Sequence, residues 1–175
     1  MPNINEFKSR LSGGGARANQ FKVTMTFPGY SSVGGETSDL AFLCSATALP
    51  GQTVGQVAIP FRGRVLNIAG DRTFEPWTIT VLNDTDFKLY RAFERWMNGI
   101  NNHSTGNGLS LPSDYMQDLV VNQLDINENV LKSYLIVGAF PSTVGAISLD
   151  VDSTDEIEEF PLTFQYQYWD STTTT

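Results

Sequence analysis

The densest run of chemistry-bearing side chains is Asp150-Val151-Asp152-Ser153-Thr154-Asp155-Glu156, with Glu158 and Glu159 just beyond it. Carboxylates in this number are oxygen ligands a hard cation would accept. The run lacks the glycine and ligand ladder of a calcium loop, so it reads as a solvated hairpin loop that makes one surface negative. Gly106-Asn107-Gly108 would suit a phosphate only if it followed a strand, opened a helix and carried a lysine, and it does none of these. His103 is the single histidine, which removes His-pair metal sites and the serine triad, and its polar loop offers no nucleophile to activate. Cys44 is the single cysteine; it forbids an intrachain disulfide and a thiolate zinc site, and within an apolar stretch it reads as a small core residue. Paired carboxylates for glycoside hydrolysis need a separation of ~5–9 Å, which sequence does not fix. No catalytic, metal-binding or cofactor-binding residue is nominated.

The elements that would position such groups are short and strand-rich. The 175 residues allow one domain, and 19 Asp and Glu against 11 Lys and Arg give a net charge of −8. An anionic average surface repels phosphate, which disfavours a nucleic-acid binder. Charged residues are only 17% of the chain, below the usual ~25%, so solubility rests on Ser, Thr, Asn, Gln and Gly. No stretch approaches the ~18 apolar residues of a membrane span, and the start of the chain has neither a basic nor an apolar leader segment, so no membrane anchor is expected. Residues 1–19, ending in Gly13-Gly14-Gly15-Ala16-Arg17-Ala18-Asn19, read as a flexible arm. Residues 20–170 read as a single β-domain, and 171–175 as a disordered polar tail.

Within the domain, Phe21, Val23, Met25 and Phe27 alternate with polar residues as a half-buried strand does. Leu40 to Ala46 is apolar enough for a strand buried on both faces, and the two are expected to pair. Further strands are expected at 53–59 and 61–68, then a Gly- and Pro-marked connection over 69–76, then a clear strand at Trp77, Ile79 and Val81. Leu89, Phe93, Trp96, Met97 and Ile100 have helical spacing, predicting one helix over 85–98 with N-cap candidates in Asn83-Asp84-Thr85 and a stop near Gly99. A long loop over 99–114 follows. Strands are then expected at 115–124, 130–140 and 146–151, with a last one carrying Phe160, Leu162, Phe164, Tyr166 and Tyr168, whose Pro161 belongs at an edge or among its first residues. The fold class is mainly β: a barrel or sandwich of short antiparallel strands with one flanking helix.

Ala46-Thr47-Ala48-Leu49-Pro50 and the longer block from Ala69-Gly70-Asp71-Arg72-Thr73-Phe74-Glu75-Pro76-Trp77 to Asp84 resemble the tail tube proteins of T4-like, contractile-tailed bacteriophages. Phe140 to Asp150, the Asp155-Glu156-Ile157 turn and the aromatic last strand fit as well, so the resemblance runs from Gln20 to Trp169. The Pro28 to Asp39 loop is longer than the family pattern, and the Thr-rich tail is additional. The resemblance implies a non-enzymatic virion protein, assembled in the host cytoplasm. Its copies would form hexameric rings stacked as the inner tail tube within a sheath, bounded by baseplate and tail terminator proteins. DNA would pass through the lumen without specific binding, and no cofactor is implied. It also implies similarity to type VI secretion tube proteins.

Under this resemblance Gly70, Asp71, Arg72, Thr73 and Phe74 are the candidate subunit-contact residues, with Asp71 and Arg72 either paired across or within a ring or closing a local turn. The 13–19 arm, the 28–39 loop and the 99–114 loop are candidates for ring-stacking or sheath contact. Two alternatives stay open. One is a baseplate tube initiator or secretion-system tube subunit. The other, of a different class, is an all-β carbohydrate-binding or hydrolytic virion domain, suggested by the aromatics and acids.

Overall fold

The computed structural model describes residues 3–10 and 16–174. Its elements run α1 (Ile4–Arg10), β1 (Phe21–Met25), α2 (Glu36–Leu43), β2 (Cys44–Thr47), β3 (Thr53–Phe61), β4 (Arg64–Thr73), β5 (Trp77–Leu82), α3 (Lys88–Ile100), α4 (Pro112–Tyr115), β6 (Gln117–Leu124), β7 (Val130–Val144), β8 (Glu159–Gln165) and β9 (Tyr168–Ser171). All pairings are antiparallel. The path β1-β6-β7-β8-β5-β2 has β1 and β2 as its two free edges, β9 adds to β7, and β3-β4 stands apart as a hairpin. This is the mainly β architecture that the alternation predicts, with more helix than the single segment expected.

β7 divides the body into two leaves. Its first part pairs with β6 and β9, and its last residues, from Phe140, pair with β8. Between them Gly138 has φ 62°, a conformation open mainly to glycine, and its N–H is held by Asp118 Oδ1 at 2.9 Å. One long strand can therefore turn a corner and serve both sheets, as in orthogonally packed sandwiches. The last strand of the sequence reading divides at the same corner. β8 ends at Gln165, and after Tyr166-Gln167 the chain resumes as β9 on the other leaf.

A single core joins the leaves. Val23, Met25, Leu119, Val121 and Ile136 cluster with Trp77, Ile79, Val81, Phe160, Leu162 and Phe164. Into it α3 drives Leu89, Ala92, Phe93 and Trp96, all buried, at the i, i+3, i+4, i+7 spacing of one helix face. The Trp96 indole N–H donates to the Tyr115 carbonyl at 2.8 Å, so the large ring is buried without an orphaned donor. The helix starts later than 85 because Phe87 is left-handed, φ 52°. The N-cap position is therefore Phe87, not one of Asn83-Asp84-Thr85, although Asp84 Oδ1, from before the cap, accepts from the Lys88 N–H at 2.9 Å. Gly99 does not stop the helix. A Cβ there would lie 2.2 Å from the Tyr30 ring, so glycine is what lets Tyr30 cross the last turn.

Three expectations are corrected. Leu40 to Ala46 is not a two-sided strand: Gly34 and Gly35, both at positive φ, turn the chain into α2, which buries Leu40 and leaves Phe42 83% exposed. A short apolar run does not declare its period, and here the Asp39–Lys88 ion pair supplies a tertiary anchor for the helix. β1 and β2 do not pair; their partners are β6 and β5. Residues 146–151 form no strand, because the β7 ladder ends where Gly145 N–H donates to the Pro161 carbonyl at 2.7 Å and Pro161 has no N–H to return. Pro161, expected at an edge or among the first residues of its strand, is the third residue of β8, which is interior between β5 and β7; it is tolerated there because its nitrogen faces the spent end of β7.

At the termini, α1 forms within the segment read as an arm, with none of its residues buried. Ser171, at the start of the tail expected to be disordered, is buried at the end of β9, and its N–H donates to Thr174 Oγ1 at 2.7 Å.

Candidate functional site

The connection expected over 69–76 is mostly strand, and the two strands expected before it are the arms of one hairpin. β3 and β4 run antiparallel through Phe61↔Arg64, Ile59↔Leu66 and Val57↔Ile68. They join at Arg62 and Gly63, with φ 47° and 82°, the pair of left-handed residues that a tight turn compatible with strand twist requires. Residues directly opposite share a face. Val57, Ile59, Phe61, Leu66 and Ile68 therefore line one side, and they are 52%, 42%, 66%, 58% and 46% exposed. The opposite side carries Gln56, Ala58, Pro60, Val65, Asn67 and Ala69. An isolated two-stranded ribbon is marginal in water. One carrying five large apolar side chains on a single face has the form of an element completed by something else.

The nominated segment forms the root of this ribbon. Gly70 lies opposite Gly55 where the register shifts between Val54 and Gln56; a Cβ on Gly70 would sit 3.2 Å from the Gly55 carbonyl carbon. The two glycines thus let the strands close over a bulge. Asp71, Arg72 and Thr73 are exposed strand residues rather than a local turn, and as neighbours Asp71 and Arg72 point to opposite faces. Phe74 is half-buried, its ring 6.0 Å from Tyr166 and 6.4 Å from Trp169. At the same root, just before the other strand of the ribbon begins, the Trp169 indole N–H donates to the Gly51 carbonyl at 3.3 Å. Trp169 therefore grips both strands of the hairpin where they leave the body. Sequence reasoning nominated residues that lie at this root, reading them as a connection, and missed the stripe above it. Val57-Ile59-Phe61 and Leu66-Ile68 do alternate, but Pro60, the paired glycines and an Arg-Gly turn in place of Asn-Gly hid the hairpin.

The polar groups singled out elsewhere in the sequence make local contacts within the chain. Among the described residues no group of three or more His, Cys, Asp or Glu is placed to hold a metal ion. In the acidic loop, Asp150 Oδ1 accepts from the Asp152 N–H at 3.0 Å and Ser153 Oγ donates to Glu156 at 2.6 Å, local bonds that shape a turn. His103 is exposed, its backbone N–H donating to Asn98 Oδ1. Burial pushes the Cys44 thiol up to about 11 against a weaker, lowering effect of the Ala46 backbone. Burial also raises Tyr30 to about 12, helped by the charge of Asp114. In the 28–39 loop Ser31 and Glu36 are buried. Burial opposes ionisation of Glu36, but hydrogen bonds from Ser32 and from the backbone of Glu36, Gly34 and Val33 outweigh it and hold the pKa below the ordinary value.

Comparison with known proteins places this geometry. The phage tail tube protein family model matches residues 16–172. The chain is 32% identical over 168 residues to the tail tube protein of Serratia phage KSP90, covering 95% of each chain. It is 36% identical over 163 residues to tail tube protein gp19 of Enterobacteria phage T4, covering 91% of this chain and 93% of that one. A chain of the extended sheath–tube complex of the PVC extracellular contractile injection system shares the fold, with TM-score 0.63, 14% identity, and coverage of 94% of this chain and 96% of that one. With sequence relatives of this similarity over nearly its full length, the chain belongs to the phage tail tube protein family.

Proposed function

We propose that copies of this structural tail protein close into hexameric rings, that the rings stack as the inner tube of a contractile tail, and that the β3-β4 ribbon is a principal contact between copies. The observation that carries the reading is the ribbon's apolar face, fully formed yet uncovered in the single chain of a tail tube family member. A neighbouring copy that covers it gains about 25 cal/mol for each Å² of apolar surface removed from water. The free edges β1 and β2 are a hazard in a solitary protein, and a closed ring protects them.

Gly70, Asp71, Arg72, Thr73 and Phe74 act in this reading as the base that aims the ribbon. Phe74 and the paired glycines fix its angle, and the exposed Asp71 and Arg72 meet charges of a neighbour. The 13–19 arm and the 28–39 and 99–114 loops serve stacking or contact with the sheath, while baseplate and tail terminator proteins bound the tube. DNA passes during ejection through a lumen without phosphate-neutralising capacity, to which it has little tendency to bind. The role is mechanical rather than enzymatic. The test is the double variant Ile59→Asp/Leu66→Asp, whose positions are exposed in the single chain. Tubes seen by electron microscopy for the unaltered protein should be absent for the variant, with the circular dichroism spectrum unchanged; normal tubes would overturn the role given to the ribbon.

A further inference from the structure

Lys88, Arg91 and Arg95 fall at i, i+3 and i+7 on α3 and line one surface groove together with Ser32, Val33, Thr85 and Asp86. That is three of the chain's 11 basic residues in one place, in a protein of net charge −8. Lys88 is engaged by Asp39 and Asp86 lies in the groove wall. Arg91 and Arg95 are exposed and, among the described residues, belong to neither of the ion pairs formed. The complementary imbalance lies elsewhere on the same chain. No Lys or Arg follows Lys132, yet Asp150, Asp152, Asp155, Glu156, Glu158 and Glu159 fall within ten residues. Their bonds run to Ser153, Asn83, Ser45 and the backbone of Asp152, and among the described residues none reaches a cation. A guanidinium pair one helical turn apart suits carboxylates well, since each can accept two parallel N–H bonds.

We infer that Arg91 and Arg95 of one copy hold the acidic Asp150 to Glu159 loop of a neighbouring copy. The inference rests on the self-assembly proposed above and adds a second contact to it. Neither half uses the apolar face of the ribbon, so that contact leaves both available. Packing copies of charge −8 together without matching these acids to cations would build up repulsion at the junction, and the groove supplies the match. Other occupants, an acidic segment of a different tail protein or a DNA backbone, are separated by the test.

The full-length protein is compared with four variants for the concentration at which tubes form, by electron microscopy and light scattering, with thermal melts of the unassembled chain as the folding control. Arg91→Glu/Arg95→Glu and, separately, Asp152→Lys/Glu156→Lys should each raise that concentration by about tenfold or more. Joining the two pairs in one chain should bring it back to within about threefold of the original. Joining the arginine reversals instead to Glu75→Lys/Glu128→Lys, which restores net charge without touching the loop, should leave assembly deficient. Normal assembly of the arginine variant, failure of the loop swap to rescue, or equal rescue by the remote lysines would each overturn the inference while tubes of the unaltered protein keep the tube reading intact. DNA retained by the unaltered protein and lost from an arginine variant that assembles normally would overturn it in favour of phosphate. Absence of tubes from the unaltered protein under every condition would overturn both.

Discussion

Cys44 sits at the junction of α2 and β2, where burial raises its thiol to about 11. At pH 8 the thiolate is therefore scarce, and alkylation by iodoacetamide should be slower than for an unfolded control by about a hundredfold or more; a rate matching the denatured chain would contradict the placement. Gly99 is constrained from a different direction. Gly99→Ala drives a methyl into the Tyr30 ring and should cost about 1–3 kcal/mol in chemical denaturation. Tyr30→Ala in the same background should recover part of the loss, because the clash then has no partner. Glu36 carries a pH signature. Its folded pKa lies below the ordinary value of 4.5, so its contribution is complete above that value and fades as pH falls through the folded pKa. Unfolding followed by pH should show an acid limb that Glu36→Gln flattens, and an unchanged limb would assign acid lability to other carboxylates. The burial of Cys44 was legible from its apolar run; the other two roles were not, because Gly99 is constrained by Tyr30 arriving from a distant loop and Glu36 is held by Ser32, Val33 and Gly34 only once that loop has taken its shape.

At the scale of elements, α3 and the half-buried strands were legible because their periods repeat. Leu89, Phe93 and Trp96 could only be one helix face, and Val23 and Met25, or Phe160, Leu162 and Phe164, only one side of a strand. What was not legible needed a tertiary partner. The Leu40 to Ala46 run is split between helix and strand by two left-handed glycines and an ion pair to Lys88. The 146–151 run lost its strand to Pro161, fifteen residues beyond Ala146. The ribbon belongs between these cases. Residues at its root, Gly70 to Phe74, were nominated through resemblance, but its face was not legible, since no pattern within 53–73 shows that both strands leave the body together. The element predicts a measurement of its own. Phe74→Ala and Trp169→Ala loosen the grip on the ribbon, so hydrogen exchange in β3 and β4 of the unassembled chain should quicken while β7 stays protected. Equal change in both would mean that the aromatics serve the core rather than the ribbon.

For the whole molecule, charge and exposed apolar surface point the same way. A chain of net charge −8 is kept apart from its copies by repulsion, whereas in the proposed assembly the stripe from Val57 to Ile68 and the free edges of β1 and β2 draw copies together, so association should depend on salt. Raising ionic strength from ~0.05 to ~0.5 M shrinks the reach of the repulsion severalfold and should promote contact through the apolar ribbon, while weakening any contact made by Arg91 and Arg95. The mainly β class and the tail tube family were legible from alternation and from the block around Ala69 to Asp84; the sharing of β7 between two leaves was not, since it hangs on one residue, Gly138. The most direct test of the central claim is electron microscopy of the concentrated, purified chain. Hollow tubes of stacked six-membered rings, with the β3-β4 ribbon lying against a neighbouring copy, are predicted. A population that stays monomeric, or rings in which the ribbon remains in solvent, would contradict it.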